Sequence, residues 1–306
     1  MRKIISILIM FVAIVALSCN RSGSKSGKKK LTIAVIPKGT SHEFWKSIHA
    51  GAIKAAKELS STGNEVEVIW KGPLREDDRA LARPVEEAKS AGVPTVIIDS
   101  ALQSNSIVSF VATDNRRGGV LAADRLGELL GSKGKVILLR YAEGSASTTD
   151  REEGFLSEMK QKFPGIELIS TDQYAGATRD TAKRSSENLL NRFGDDVQGI
   201  FTPNESSTAG MLSALQDIGK AGKLMFVGFD TSQMFIDAMR AKQLHGIVVQ
   251  NPFNMGYLGV RTMVENLQGK TVEKRIDTGV NMITLDNLDT PESQTLLHPP
   301  LDQYLK

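Results

Sequence analysis

Short apolar runs and amphipathic stretches alternate along this chain almost without a break. Residues 31–36, LTIAVI, cluster aliphatic and β-branched side chains, and in so short a run they predict a fully buried strand of a parallel sheet, ended by Pro37. A polar loop follows, and then WKSIHAGAIKAAKELSSTG predicts a helix closed by Gly63. The alternation then recurs. VEVIW is a second strand, ALARPVEEAKSAG a helix closed at Gly92, PTVIIDS a strand ending at Asp99 and SIVSFVATD one ending at Asp114. Further on, helical GGVLAADRLGELLG precedes KVILLRY, and REEGFLSEMKQKF precedes IELIST. TRDTAKRSSENLLNRF precedes VQGIFTPN, STAGMLSALQDIG precedes LMFVGFD, and MFIDAMRAKQL precedes HGIVVQNP. MGYLGVRTMVENLQG follows, and GVNMITLDN returns late as a short strand. Strands alternating with helices predict βαβ units, right-handed crossovers and parallel sheets. The count of units predicts two successive α/β lobes.

Length agrees, since 306 residues suffice for two domains of ordinary size. The net charge of +3 suggests a basic preference, but seven of the basic residues (Arg2, Lys3, Arg21, Lys25, Lys28, Lys29 and Lys30) lie in the first thirty positions. The remaining 31 basic residues face 35 acidic ones, so the body of the chain carries no nucleic-acid footprint. Those first residues differ in kind. Arg2 and Lys3 precede an apolar run over 4–17, too short to span a bilayer comfortably, that ends at Ser18-Cys19; this is the build of a secretory signal, residues 1–19. Residues 20–30, NRSGSKSGKKK, bury nothing and predict a flexible tether.

Polar residues recur where strands end: Asp99, Asp114, Tyr141, Asn204, Asp230 and Gln250. Ligands of open α/β sheets bind just outside those ends, and the loop holding Thr40, Ser41, His42, Phe44 and Trp45 is a candidate lip of the same site. An aromatic pair at a helix start serves core packing equally well, and Asp99 or Asp230 taken alone reads as a helix N-cap. Paired carboxylate and guanidinium groups suit the vicinal hydroxyls of a sugar. Against an enzyme stands the lack of a nucleophile elbow, a phosphate loop or a metal-spaced His or Cys set; no catalytic residue, metal or cofactor is expected. Glu143-Gly144-Ser145 reads as a solvated turn, and Glu152, Glu153 and Lys160 as a solvated helix face.

The ordered set IPKGTSHEFW, TVIIDS, SFVATDNRRGG, GSASTTDREEGF, FTPNESSTAGM, FVGFD and VVQNPFNMGYLG, behind Cys19, resembles the type I periplasmic binding proteins of sugar ABC transporters, in their ribose-binding branch. The similarity runs over essentially all of residues 31–306. It implies two Rossmann-like lobes joined by three hinge strands and closing on a sugar. Residues 31–113 plus 251–280 would form the N-terminal lobe, and 114–250 plus 281–306 the C-terminal one. By position, Phe44 and Trp45 would stack on the sugar ring, and Asp99 would accept its hydroxyls. Arg151, Asn204, Asp230 and Gln250 would complete the site. His42 stands where ribose binders have asparagine, and Ser100 where arginine follows the aspartate.

The resemblance further implies a monomer that presents a pentose, hexose or polyol to permease subunits. It would touch the membrane only through a lipid on Cys19, in the periplasm or on the outer face of the cytoplasmic membrane. Leu17 sits one position nearer that cysteine than the usual lipobox places its leucine. A ligand-sensing subunit for a chemoreceptor or sensor kinase would share all of this. A sugar-responsive repressor would need a DNA-binding head where this chain has a signal and a tether.

One departure stands out. Where such relatives carry one further helix and strand, Asp78 here runs directly into Arg79. The missing strand belongs in the middle of the first sheet. Its loss predicts either a gap or a sheet in which TVIIDS moves over to LTIAVI, shifting Asp99 by about 4.8 Å. An N-terminal lobe less stable than its partner, with weakened or lost ligand binding, is the expected result.

Overall fold

The computed structural model describes residues 30–40, 43–61, 63–72, 82–102 and 104–305. Cys19, the signal and the tether up to residue 29 lie outside the described residues, as do Ser41, His42 and the 73–81 junction.

The first lobe opens with β1 (Lys30–Val35), α1 (Glu43–Ser61) and β2 (Glu65–Trp70), followed by α2 (Ala82–Ser90), β3 (Val96–Ile98) and β4 (Ser109–Ala112). The second contains α3 (Asn115–Leu129), β5 (Gly134–Arg140), α4 (Ala146–Lys162), β6 (Ile166–Tyr174), α5 (Arg179–Phe193) and β7 (Gly199–Phe201). It continues through α6 (Glu205–Asp217), β8 (Met225–Phe229), α7 (Gln233–Arg240) and β9 (Gly246–Gln250). The chain then returns to the first lobe with α8 (Pro252–Leu267) and β10 (Arg275–Asp277), and re-enters the second with β11 (Val280–Ile283) and α9 (Pro291–Leu297).

The second lobe holds a six-stranded sheet in the order β11-β9-β8-β7-β5-β6, parallel except for β11. Its strands are apolar on both faces: Val136 and Leu138 of β5 join one buried cluster, Ile137 and Leu139 the other. This is the continuous apolar signature of a doubly covered parallel sheet.

The first lobe keeps the same order with one place empty. Among the described residues β1 pairs only β2, β3 pairs only β4, and β4 pairs β10, giving β2-β1 and β3-β4-β10 with no strand corresponding to β7 between them. Of the two expected outcomes the gap is the one found; TVIIDS has not moved over to LTIAVI. The reading of residues 31–36 as a fully buried strand is corrected here. Leu31, Ile33 and Val35 pack with Ile48 and Ala52 of α1 and Val260 and Val264 of α8, whereas Thr32, Ala34 and Ile36 are exposed, Ile36 at 63 %. One face of β1 is covered, by α1 and α8, and the other is exposed.

Each lobe is clamped by one pair of helices in backbone contact. A Cβ on Gly51 of α1 would meet the Phe253 carbonyl oxygen of α8 at 1.9 Å, and one on Gly256 would meet that of Ile48 at 1.9 Å. The second lobe repeats this with Gly119 of α3 against the Arg151 carbonyl (1.9 Å) and Gly154 of α4 against that of Arg116 (2.1 Å). Only glycine permits so close an approach.

Three segments connect the lobes side by side, and the chain after α9 reaches back across to the first lobe, where Tyr304 packs on Phe253 of α8. Thr113 Oγ1 donates to the Gly279 carbonyl (3.1 Å), and the N–H groups of Asp114 and Gly279 both donate to Asp277 Oδ1 (3.1 and 3.0 Å). Arg275 reaches across with its two Nη groups to the carbonyls of Ala112 (2.7 Å) and Thr113 (2.9 Å). The third segment joins them through the pairing of Val280 with Gln250.

The one-sided burial of β1 and the empty place beside it lead to a measurable expectation. In native-state hydrogen exchange the amides of β1 should open well before those of β8, whose neighbours are complete on both sides. Equal protection in the two strands would refute an N-terminal lobe weaker than its partner.

Candidate functional site

The carboxyl ends of the strands converge on a cleft between the lobes of about 740 Å³. Phe44, Trp45 and Asp99 line it from the first lobe, and Arg151, Asn204, Asp230 and Gln250 from the second lobe and the connecting segments. Seven of the eight residues predicted as ligand-binding are thus brought together; His42 lies outside the described residues.

Arg151 is the centre of the arrangement. It sits on the first turns of α4 and is 2 % exposed. Its Nε donates to Asn115 Oδ1 (2.9 Å), one Nη to the Pro203 carbonyl (3.0 Å) and the other to Gln250 Oε1 (3.2 Å). The guanidinium stands over the Phe229 ring, its Cζ 3.9 Å from the centroid. Burial pushes its pKa below the ordinary value, and the carboxylates of Asp230 and then Asp99 push back. Asp99 belongs to the first lobe and Arg151 to the second, so this attraction spans the cleft. So does a hydrogen bond from the Ser147 N–H to Ser100 Oγ (3.3 Å), at the position where the resemblance would place arginine.

Asp99 and Asp230 hold equivalent places in the two lobes. Each follows its strand in the left-handed region, φ 71° and 67°, and each backbone N–H extends a ladder, to Val111 O (3.0 Å) and Val248 O (2.8 Å). A non-glycine residue is strained there, and Asp tolerates it better than most. The N-cap of the helix that follows Asp230 is Ser232, so Asp230 does not cap its own next helix. The Asp230 carboxylate instead accepts from Gln250 Nε2 (2.7 Å) and from the Glu205 N–H (3.1 Å). Asn204 does act as a cap: its Oδ1 accepts from the N–H (3.3 Å) and the hydroxyl (2.5 Å) of Ser207, while its Nδ2 donates to Ser206 Oγ (3.0 Å). Its side chain therefore shapes the cleft as much as it faces it. Trp45 answers the two readings of the aromatic pair with both. It is 5 % exposed within the first lobe's core, lines the cleft, and holds Phe44 edge-on with ring centroids 5.0 Å apart.

Two surface expectations fail. Ser145 is the buried N-cap of α4 and lines the cleft, so 143–145 is not simply a solvated turn. Glu152 is buried, accepting from Arg140 Nη1 (2.7 Å) and the Tyr141 N–H (3.1 Å), with its pKa raised by burial. α4 turns that position inward, beside the site; Glu153 and Lys160 do remain exposed. Sequence reasoning also passed over Asn115 and Phe229, which position Arg151. Asn115 lies inside the quoted SFVATDNRRGG, and its place at the start of a helix facing the cleft was the available signal.

A family model described as a periplasmic binding protein domain matches residues 76–271, well over half of the chain. The chain belongs to the periplasmic binding protein family. It shares 26 % identity over 312 residues with the ribose import binding protein RbsB of Bacillus subtilis (strain 168), covering 93 % of this chain and 99 % of that protein. A second member, the xylitol-binding protein of Mycolicibacterium smegmatis, is 26 % identical over 246 residues, covering 80 % of this chain and 69 % of the relative. Among solved structures of periplasmic binding proteins, a carbohydrate transporter solute-binding protein from Agrobacterium radiobacter in complex with D-arabinose superposes with a TM-score of 0.82 at 28 % identity. That match covers 89 % of this chain and all of the other.

Proposed function

We propose that this chain is the extracytoplasmic binding component of an ABC importer, holding a neutral monosaccharide or related polyol in the interlobe cleft and handing it unaltered to permease subunits. One observation carries the reading: the buried Arg151–Gln250–Asp230 relay, faced across the cleft by Asp99 and the Phe44–Trp45 pair. Such a set offers charge-assisted acceptors and donors to ring hydroxyls and an aromatic surface to an apolar ring face. The names of the relatives agree with it. The gap beside β1 leaves Asp99 on the cleft wall, so the expected reason for lost binding, a displaced aspartate, does not apply.

The three connecting segments support lobe boundaries near residues 113–114, 250–251 and 280–281. An acylated Cys19 would tether the lobes to the outer face of the membrane through residues 20–30, and mass spectrometry of the native N-terminus reads this directly. No bond is made or broken in this role.

A thermal-shift screen of pentoses, hexoses and polyols tests the function. A sugar present at about 100 times its dissociation constant adds about 2.7 kcal/mol of stability, a clear rise in melting temperature. A response to amino acids or peptides with none to any sugar would overturn the assignment.

A further inference from the structure

Asp99 and Arg151 face each other across the cleft, and one further polar side chain belongs to the same meeting of the lobes. Ser147 precedes Arg151 by four residues on α4, so the two side chains share one face of that helix. The Ser147 N–H donates to Oγ of Ser100, the residue that follows Asp99, and this 3.3 Å bond fixes Ser147 where the lobes touch. Its side chain lines the cleft, and the residue is only 6 % exposed.

The hydroxyl of Ser147 is unspent. Thr148, one position on, donates its own to the Ser145 carbonyl (3.3 Å), whereas that of Ser147 makes no hydrogen bond among the described residues. Nor is it sealed from solvent: the enclosed hydroxyls without a partner among those residues are those of Ser109, Thr231 and Ser232. A buried residue thus holds out a hydroxyl that the contents of the cleft can reach, and a hydroxyl in such a place calls for a partner.

The neighbouring groups say which partner. A carboxylate only accepts, so a ligand hydroxyl that donates to Asp99 must find donors for its own lone pairs. Arg151 spends its Nε and both Nη groups on Asn115, Pro203 and Gln250, which uses three of the five N–H groups of a guanidinium. The Ser147 O–H adds a donor on the same helix face.

We propose that Ser147 is a specificity-determining ligand residue, donating to the sugar hydroxyl that in turn donates to Asp99, so that one hydroxyl of the ligand bridges the two lobes. This rests on the sugar-binding reading and narrows its ligand class to sugars and polyols that carry a hydroxyl at that one carbon, in one configuration.

The test is titration calorimetry on the mature chain with D-ribose, D-arabinose, D-xylose, D-glucose, D-galactose and xylitol, then with each monodeoxy analogue of the tightest binder. Ser147→Ala should weaken that binder about tenfold, because the ligand hydroxyl stays buried while losing a partner. One monodeoxy analogue, lacking the hydroxyl that Ser147 holds, should bind the variant and the unaltered chain within about twofold of each other, while the remaining analogues show the full loss. The melting temperature without ligand should not fall, since the backbone bond to Ser100 survives and alanine suits a helix. Ser100→Ala, which removes the contact between the lobes, should by contrast weaken every ligand by the same factor. Unchanged affinity in Ser147→Ala, or an equal loss for the parent and all of its analogues, would overturn the proposal and leave sugar binding standing. Failure of the unaltered chain to bind any of these ligands would remove the reading on which the proposal rests.

Discussion

Replacing Arg151 by methionine is expected to cost the second lobe about 3–5 kcal/mol, the range for breaking a buried charged network by removing one partner. Methionine keeps much of the length and the packing over Phe229, but it leaves Asn115 Oδ1, the Pro203 carbonyl and Gln250 Oε1 without their donor. It also removes the guanidinium whose charge attracts Asp230 and Asp99. At a few degrees per kcal/mol for a lobe of this size, calorimetry should record a fall of about 10 °C in the transition of the second lobe. Ligand-induced stabilisation should vanish as well. Arg151→Lys should restore part of the stability but little binding, because an ammonium cannot fork to three acceptors held in one plane. A loss below about 1 kcal/mol for Arg151→Met would mean that the network contributes little and that the site is organised elsewhere.

Gly119→Ala is the second large effect, and its sign is the test. Propensity alone predicts a gain of about 1 kcal/mol for alanine inside a helix. Packing predicts the reverse, since the added methyl would lie 1.9 Å from the Arg151 carbonyl oxygen and the helices must part, a loss of about 3 kcal/mol. Asn115 lies one turn before Gly119 on the same face of α3. Separating α3 from α4 therefore stretches the 2.9 Å bond to Arg151 and lowers affinity together with stability. A stabilised variant in urea titration would refute the contact. A destabilised one with unchanged sugar affinity would show that the helix clamp and the site are independent.

Much of this arrangement was legible in the sequence, and the limits have physical causes. Strand ends carrying Asp99, Asp230 and Gln250 announced the cleft, because a parallel sheet leaves few other places for polar residues amid apolar runs. The alternation of elements fixed two lobes. Burial on one face of β1 was not legible: LTIAVI has the composition of a covered strand, and only the assembled lobe shows that α1 and α8 cover one face and leave Thr32, Ala34 and Ile36 exposed. Glu152 was missed for the opposite reason. A charged residue on a helix ordinarily faces water, and nothing local signals that Arg140, twelve positions earlier on β5, waits to pair with it. The roles of Asn115 and Phe229 are properties of the assembled site, visible once α3 and β8 meet α4.

The lacing of the connecting segments has a consequence for motion. Thr113, Asp114, Arg275, Asp277 and Gly279 bind two of the three strands edge to edge, and the pairing of Gln250 with Val280 adds the third. A bundle tied in this way bends across its width more easily than it twists or slides, so opening is chiefly one rotation, and it must also draw Tyr304 away from Phe253. A partner that rests on both lobes at once then reads a single coordinate, the opening angle. Ligands of different shape become interchangeable to it as soon as they hold that angle at the same value.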